Sequence, residues 1–361
     1  MNSKKPAKPR GRHEVFKTPN IYDVAREAHV SVYTVSSVVN RSIHVSDELR
    51  QRVEEAIQRL SYRPNLLARG LAKRQTNTIG MIVPDIGNPF YPHLVRGAED
   101  TAQEGGYSIL LCNSDNQPDK EERYLDLLLS KQVDGILLTK APGPFSLLLR
   151  RMLAKSRVPL VLLSRTRPEL KVDAVVADDL RGAYEAVTHL ARAGHRRIGW
   201  LGGPLNMSHT VARFDGYLKG LKKGGLRRNP ELVEQGDFQI ESGYRGGLAI
   251  LSQRPDAVIA SNFLMTVGLM QAADELGMEC PSDFGLISFD DFPWLRYFRP
   301  RLTTIDVPKY EIGAAGAQKL LLRLAGKNGP HSVVKLKPKL TVRESCGFAM
   351  RAGGKREPPG K

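Results

Sequence analysis

The 361-residue chain has little cysteine and little tryptophan, three and two residues respectively. Cys112, Cys280 and Cys346 are odd in number and far apart. That excludes a disulfide-stapled scaffold, and their spacing matches no zinc site. Buried free thiols in a reducing cytoplasm are expected. No apolar run approaches the ~20 residues of a membrane-spanning helix. The basic N-terminus is followed by no apolar stretch, so no secretion signal is expected. Acidic charge is the scarcer sign, with 38 Asp and Glu against 54 Lys and Arg and a formal net charge of +16. GxGxxG, Walker, HExxH and GxSxG motifs are all missing, and with them the common marks of enzymatic chemistry. The adjacent Asp290 and Asp291 point to opposite faces if they lie on a strand, so they make a poor catalytic pair.

The basic excess is uneven. Residues 1–75 hold 15 Lys and Arg against 7 Asp and Glu, half of the net charge in a fifth of the chain. A basic head suits a polyanion such as DNA. Within it, residues 1–17 (with KKPAKPRGR) read as a solvated, disordered tail. Residues 20–40, NIYDVAREAHVSVYTVSSVVN, read as two short helices and a tight turn. Asn20 is placed to cap the first helix with Asp23 three positions on, and Ser31 to cap the second. Val24, Ala28, Val35, Val38 and Val39 have helical apolar spacing, and the small Ala25 lets the helices cross closely. Such a pair places its second helix in the DNA major groove, although the pattern alone also fits an ordinary αα-hairpin. Ser46 then caps a third helix with the stripe Leu49, Val53, Ala56, Ile57 and Leu60, which closes a small core. His29 falls in the turn, where a left-handed backbone strains most side chains, and reads as structural. After Pro64, NLLARGLAKR is basic and too short to be a stable helix alone. From Thr78 the pattern alternates strand and helix: IGMIVP, YSILLCN, VDGILLT, PLVLLS and AVVAD, then RIGWLGG, AVIASN and FGLISFD, each a buried parallel-type strand. Two doubly wound halves are the natural outcome.

Taken in order, DVA (Asp23–Ala25), TVS (Thr34–Ser36), VVN (Val38–Asn40), YRPN (Tyr62–Asn65), NTIGMIVPDIGNPFY (Asn77–Tyr91), VDGILL (Val133–Leu138), GHRRIGWLGG (Gly194–Gly203), ESGYRGG (Glu241–Gly247) and FDDF with RPRLTTI (Phe289–Ile305) closely resemble the lactose-repressor/galactose-repressor family of bacterial transcription regulators. The resemblance covers nearly the whole chain apart from the two tails. It implies an α/β core of two doubly wound parallel-sheet subdomains, like that of periplasmic binding proteins, behind an N-terminal all-α helix-turn-helix domain. The implied divisions are a helix-turn-helix domain at 18–63, a hinge at 64–77, one core subdomain at 78–177 plus 308–328, the other at 178–307 plus 329–346, and a disordered tail at 347–361. Crossings between the subdomains fall near Val176–Asp178 and Thr304–Pro308. The helix Tyr310–Gly326 returns to the first half and VVKLKPKLTV to the second. The implied function is a cytoplasmic, homodimeric, sequence-specific repressor of transcription. It acts on a pseudo-palindromic operator and responds to a small-molecule effector, with no cofactor, metal or enzymatic activity expected.

By the same resemblance, Val32, Tyr33 and Ser37 occupy the base-reading positions. Ser37 stands where many members carry arginine, the residue that reads guanine through a bidentate pair, so the operator differs at that position. Tyr22, Ser31, Thr34, Ser36 and Asn40 are placed for phosphate contacts, which position without specifying sequence. Asn65, Ala68, Arg69 and Leu71 form the hinge segment that enters the minor groove, with Leu71 as the wedge that kinks DNA. The effector positions are Phe90, Tyr91, Arg165, His209, Arg213, Phe238, Asn262 and Asp290. Arg213 offers a planar fork, Asp290 an acceptor and Phe238 an apolar plate; pairing of Arg213 with Asp290 across the cleft is the alternative. Phe263 and Ser164 replace aspartates common in the family. That tilts the cleft positive and favours a sugar acid or another anionic metabolite over a neutral sugar. A periplasmic sugar-binding protein shares the two-lobed core but not residues 1–75, and a regulator answering to a protein corepressor is disfavoured by the aromatic plates.

Overall fold

The computed structural model describes residues 19–39, 45–62, 75–143, 147–155, 158–166, 169–327 and 329–347. Both tails apart from Gly347, together with Asn40 and the hinge residues Asn65, Ala68, Arg69 and Leu71, lie outside them. The chain divides into two compact units, residues 1–76 and 77–361.

The first unit holds α1 (Ile21–Glu27), α2 (Val32–Val39) and α3 (Asp47–Arg59). Asn20 begins α1 with a full capping box: its side chain accepts from Asp23 N at 3.2 Å, and Asp23 accepts from Asn20 N at 3.0 Å. Ser31 Oγ accepts from Thr34 N at 3.0 Å at the start of α2, and Ser46 Oγ from Leu49 N at 3.5 Å at the start of α3. Each cap satisfies a donor the helix leaves orphaned. His29 makes the turn with φ 53°, in the left-handed region. Arg52 of α3 donates to the Ala28 carbonyl at 2.7 Å and so ties the three helices at that turn. Val24, Ala25, Ala28, Val35, Val38, Val53 and Ala56 are buried together, and Ile57 and Leu60 pack against them.

The second unit has two six-stranded sheets. The first contains β1 (Thr78–Val83), β2 (Ser108–Asn113), β3 (Gly135–Leu138), β4 (Leu160–Leu163), β5 (Asp173–Ala177) and β11 (Val333–Leu336), in the order β11-β5-β4-β3-β1-β2. The second contains β6 (Ile198–Gly202), β7 (Val233–Gln235), β8 (Ala257–Ala260), β9 (Gly285–Phe289), β10 (Thr303–Asp306) and β12 (Lys339–Thr341), in the order β12-β10-β9-β8-β6-β7. All pairs are parallel except β10 with β12. The central strands are buried on both faces, so β3, β4 and β8 read as unbroken apolar runs rather than alternations, and β9 is interrupted only by Ser288. The connecting helices are α4 (Phe90–Glu104), α5 (Pro118–Ser130), α6 (Leu147–Lys155), α7 (Asp179–Arg192), α8 (Ser208–Lys223), α9 (Ile240–Ser252), α10 (Phe263–Glu275) and α11 (Lys309–Leu324).

The chain crosses from the first lobe to the second at Asp178, between β5 and α7, and back at Val307–Pro308, between β10 and α11. On its return α11 packs along α4, where Gly97 faces the Tyr310 carbonyl and Gly313 the Leu94 carbonyl. Any side chain at either glycine would collide with backbone. One expectation needs correction. VVKLKPKLTV does not go whole to the second lobe: Val333–Leu336 pair with β5 in the first sheet, and only Lys339–Thr341 join the second. A third crossing therefore lies at residues 337–338, and the 329–346 assignment to the second subdomain is wrong for β11. Both segments are short edge strands half exposed to solvent, so their hydropathy carries no sign of which edge they cover.

Candidate functional site

In the helix-turn-helix unit, the face of α2 opposite Val35 and Val38 is open. Tyr33 is 81% exposed and Ser37, four residues on, lies on the same face and is half-buried. Tyr22 is 66% exposed. Val32 is half-buried and packs on the small core, so it offers less surface than Tyr33. Ser31 and Thr34 share a hydrogen bond of 2.9 Å between hydroxyls, which fixes both at the start of α2. Two large phenols left in solvent beside a satisfied apolar core have no folding role that demands their exposure.

The second constellation lies between the lobes of the core. Both sheets have the inner order 2-1-3-4-5, and in such sheets ligands bind beyond the carboxyl ends of the strands at the switch point. Asp85, Asn88, Phe90 and Tyr91 follow β1, Asn116 follows β2, and Ser164 and Arg165 follow β4. From the other lobe, His209 and Arg213 follow β6, Phe238 and Gln239 follow β7, Asn262 follows β8 and Asp290 follows β9. All eight sequence-derived effector positions therefore line one cleft. Its volume is about 470 Å³ counting the open mouth. Four lining residues that are not glycine hold a left-handed backbone: Asn116, Ser164, Phe238 and Asp290, with φ of 56°, 63°, 71° and 72°. Strain of this kind collects at binding sites.

The polar groups are buried and unevenly satisfied. Arg165 Nη1 donates to Asn116 Oδ1 at 2.9 Å and to the Lys140 carbonyl at 2.8 Å, and its Nη2 donates to the Tyr91 hydroxyl at 3.3 Å. Arg213 Nε donates to Asp179 Oδ1 at 2.6 Å, Nη1 donates to the Ser261 carbonyl, and the guanidinium lies 4.0 Å from the centre of the Phe289 ring. His209 stacks on Phe238 with centroids 5.4 Å apart. Asn262 Oδ1 accepts from Met265 N at 2.9 Å to cap α10, and its Nδ2 donates to the Phe238 carbonyl at 3.0 Å. Asn262 thus holds the Phe238 backbone, a scaffolding role that its sequence position does not announce. Arg165 Nε, His209 Nδ1 and Asp290 Oδ1 are buried without a hydrogen-bond partner among the described residues. Unpaired buried polar atoms are costly and call for a cause.

Burial, together with Arg165 and Arg213, holds His209 well below the usual imidazole range, so it is neutral at pH 7. Burial raises the Asp290 carboxyl, with Lys309 and Arg213 pulling against it. Burial also raises the Asp179 carboxyl, opposed by Arg213, and the Tyr91 phenol, opposed by Arg165.

Two expectations change here. Arg213 pairs with Asp179, not with Asp290. The cleft is not positive either: Asp179 neutralises Arg213, His209 carries no charge, and Arg165 shares the lining with Asp290 and Asp85. Sequence reasoning missed Asp179 because it sits in the first turn of a crossing helix, where an acid reads as an ordinary helix-start residue. It also missed Asp85, Asn88, Asn116 and Gln239, polar loop residues with no pattern of their own. The position of each just past a strand end was the available signal.

A helix-turn-helix unit in one chain with a two-lobed α/β cleft defines a DNA-binding regulator with a binding-protein core. Residues 20–65 match the family model for bacterial regulatory proteins of the lacI family, and residues 187–346 that for a periplasmic binding protein-like domain. The chain is 36% identical over 330 residues to the HTH-type transcriptional repressor PurR of Photorhabdus laumondii, covering 90% of this chain and 96% of that protein. It is 37% identical over 328 residues to catabolite control protein A of Priestia megaterium, covering 90% and 98%. The crystal structure of the lac repressor dimer bound to operator and the anti-inducer ONPF superposes with a TM-score of 0.83 at 27% identity, covering 91% of this chain and 99% of that one. The protein belongs to the lacI family of bacterial regulatory proteins and is a helix-turn-helix transcription regulator. Among the described residues no helix is long and apolar enough to cross a membrane.

Proposed function

We propose that this protein is a cytoplasmic repressor that binds a pseudo-palindromic operator as a homodimer and answers to a small molecule held between its core lobes. One observation carries the effector reading. Arg165 Nε from one lobe and His209 Nδ1 and Asp290 Oδ1 from the other are buried without partners, beside the Phe238 ring, at the carboxyl ends of both sheets. A donor and an acceptor of this kind suit vicinal hydroxyls, one accepting from Arg165 and its neighbour donating to Asp290, with the ring face on Phe238. With the charge nearly balanced, the ligand class is a neutral polyhydroxylated ring. A sugar acid is the second reading, favoured by Arg165, which forms no ion pair among the described residues.

On DNA, Val32, Tyr33 and Ser37 read base edges, and Tyr22, Ser31, Thr34, Ser36 and Asn40 hold phosphates. Asn65, Ala68, Arg69 and Leu71 enter the minor groove. An effector shifts DNA binding only by its differential affinity for two arrangements of the lobes. Calorimetric titration of the full-length protein with D-ribose, D-glucose, cellobiose and D-gluconate tests the ligand class: binding of the neutral sugars but not the acid is expected, and binding of D-gluconate alone reverses the order of the two readings. Selection from randomised DNA tests the operator, with two inverted half-sites expected and protection of a single half-site counting against the dimer.

A further inference from the structure

Behind the cleft, in the first lobe, lies a buried ion pair that none of the roles above uses. Glu121, in the first turn of α5, and Lys140, just past β3, have side chains only 4% and 2% exposed. Lys140 Nζ lies 2.7 Å from Glu121 Oε1 and also donates to the Ala141 carbonyl at 2.9 Å. The amide of Ala141 donates to the other Glu121 oxygen. Every strong group of the pair is therefore spent on fixing the backbone at Lys140 and Ala141. A buried pair of this sort is a weak source of stability, since apolar residues of like volume often serve as well. Its value here has to lie in what the fixed backbone does.

That backbone holds Arg165. The Lys140 carbonyl and Asn116 Oδ1 both accept from Arg165 Nη1, at 2.8 and 2.9 Å. Asn116 sits at the turn that leads into α5, the helix that carries Glu121. The two acceptors thus belong to the two segments that the ion pair joins. With the Tyr91 hydroxyl on Nη2, both terminal nitrogens of the planar guanidinium are held, and the buried Nε is left unpaired among the described residues. We infer that Glu121 and Lys140 are positioning residues that pre-organise Arg165 for its ligand, an inference that rests on the reading of Arg165 as a ligand contact. A long, rotamer-rich side chain immobilised in advance does not lose that freedom on binding.

The test reads Arg165 directly in the full-length protein. Solvent exchange of arginine Nε–H is followed by NMR, with the Arg165 signal identified by its loss in Arg165→Lys. In the wild type this proton exchanges slowly. In Glu121→Met/Lys140→Met its exchange speeds up by roughly tenfold or more while the melting temperature stays within a few degrees. Lys140→Arg, which keeps a cation on Glu121, exchanges as slowly as the wild type. Unchanged exchange in the double variant overturns the inference. If the double variant does not fold, the isosteric Glu121→Gln decides: faster exchange supports the clamp and unchanged exchange rejects it. Calorimetry with D-glucose and D-gluconate separates the two readings. Loss of binding in Arg165→Lys but not in the double variant rejects the positioning role alone. Undiminished binding in Arg165→Lys rejects Arg165 as a ligand contact, while the exchange rate still judges the clamp.

Discussion

The helix-turn-helix unit and the cleft face their targets in opposite ways. The first sets large side chains outside a fully satisfied apolar core, with Tyr33 and Tyr22 in solvent and its helix starts capped. The second buries charge, leaves polar atoms unpaired and holds four residues in left-handed backbone. The difference follows from the targets. A DNA groove comes to the protein with its own water and phosphates, so the reading surface can be stable without it. A small ligand has to be enclosed, so its partners are desolvated before it arrives, and the enclosing lobes carry that cost in their own folding.

If that contrast holds, substitutions in the cleft act on stability and those on α2 act on recognition. The largest effect is expected for Arg213→Ala. It strips the partner from a buried carboxylate, and unfolding free energy should fall by about 3–5 kcal/mol. Denaturant melts check this, and adding Asp179→Asn should recover much of the loss. A drop under about 1 kcal/mol would mean that water reaches Asp179 and that the cleft resembles the surface more than the contrast allows.

Ser37→Arg is expected to shift one base preference in each half-site toward guanine by about 1–3 kcal/mol, with the melting temperature unchanged. Selection on randomised half-sites reads it. An unchanged preference would place Ser37 away from the groove.

Asp290→Asn should do the reverse of an ordinary mutation and stabilise the unliganded protein at neutral pH by about 1–2 kcal/mol, while weakening ligand binding. Burial raises the folded-state value of Asp290 above the ordinary 3.8, so the folded protein keeps the proton to higher pH than the unfolded chain does. The contribution of this group to stability is thus greatest in acid and declines as pH rises through that interval. The gap between variant and wild type should widen from acid to neutral pH. A constant gap would show that Asp290 finds a compensating cation.

The smallest effect on folding is expected for Tyr33→Ala, a change of less than about 0.5 kcal/mol in stability, because its ring is mostly in solvent. Operator affinity should nevertheless fall. Equal loss of stability and affinity would erase the contrast on the DNA side.

The helical unit was almost wholly legible in the sequence, because its determinants are local. Capping pairs lie three residues apart, the core stripe recurs at helical spacing, and the left-handed turn falls on one residue, His29. The two doubly wound halves were legible for a similar reason, since strands buried on both faces are written as continuous apolar runs. The eight cleft positions came from the resemblance and fell together where the strand ends converge. Partners did not come with them. That Arg213 meets Asp179, that Asn262 holds Phe238 and that Glu121 and Lys140 stand behind Arg165 are contacts between residues 19 to 34 positions apart in the chain. The placement of β11 on the first sheet and β12 on the second was equally out of reach, because an exposed edge strand looks the same in composition whichever sheet it joins. Local chemistry and hydropathy period determined the elements and the class of protein. Tertiary structure alone decided the charge balance of the cleft, because whether a buried cation is free or neutralised depends on which distant acid the fold sets beside it.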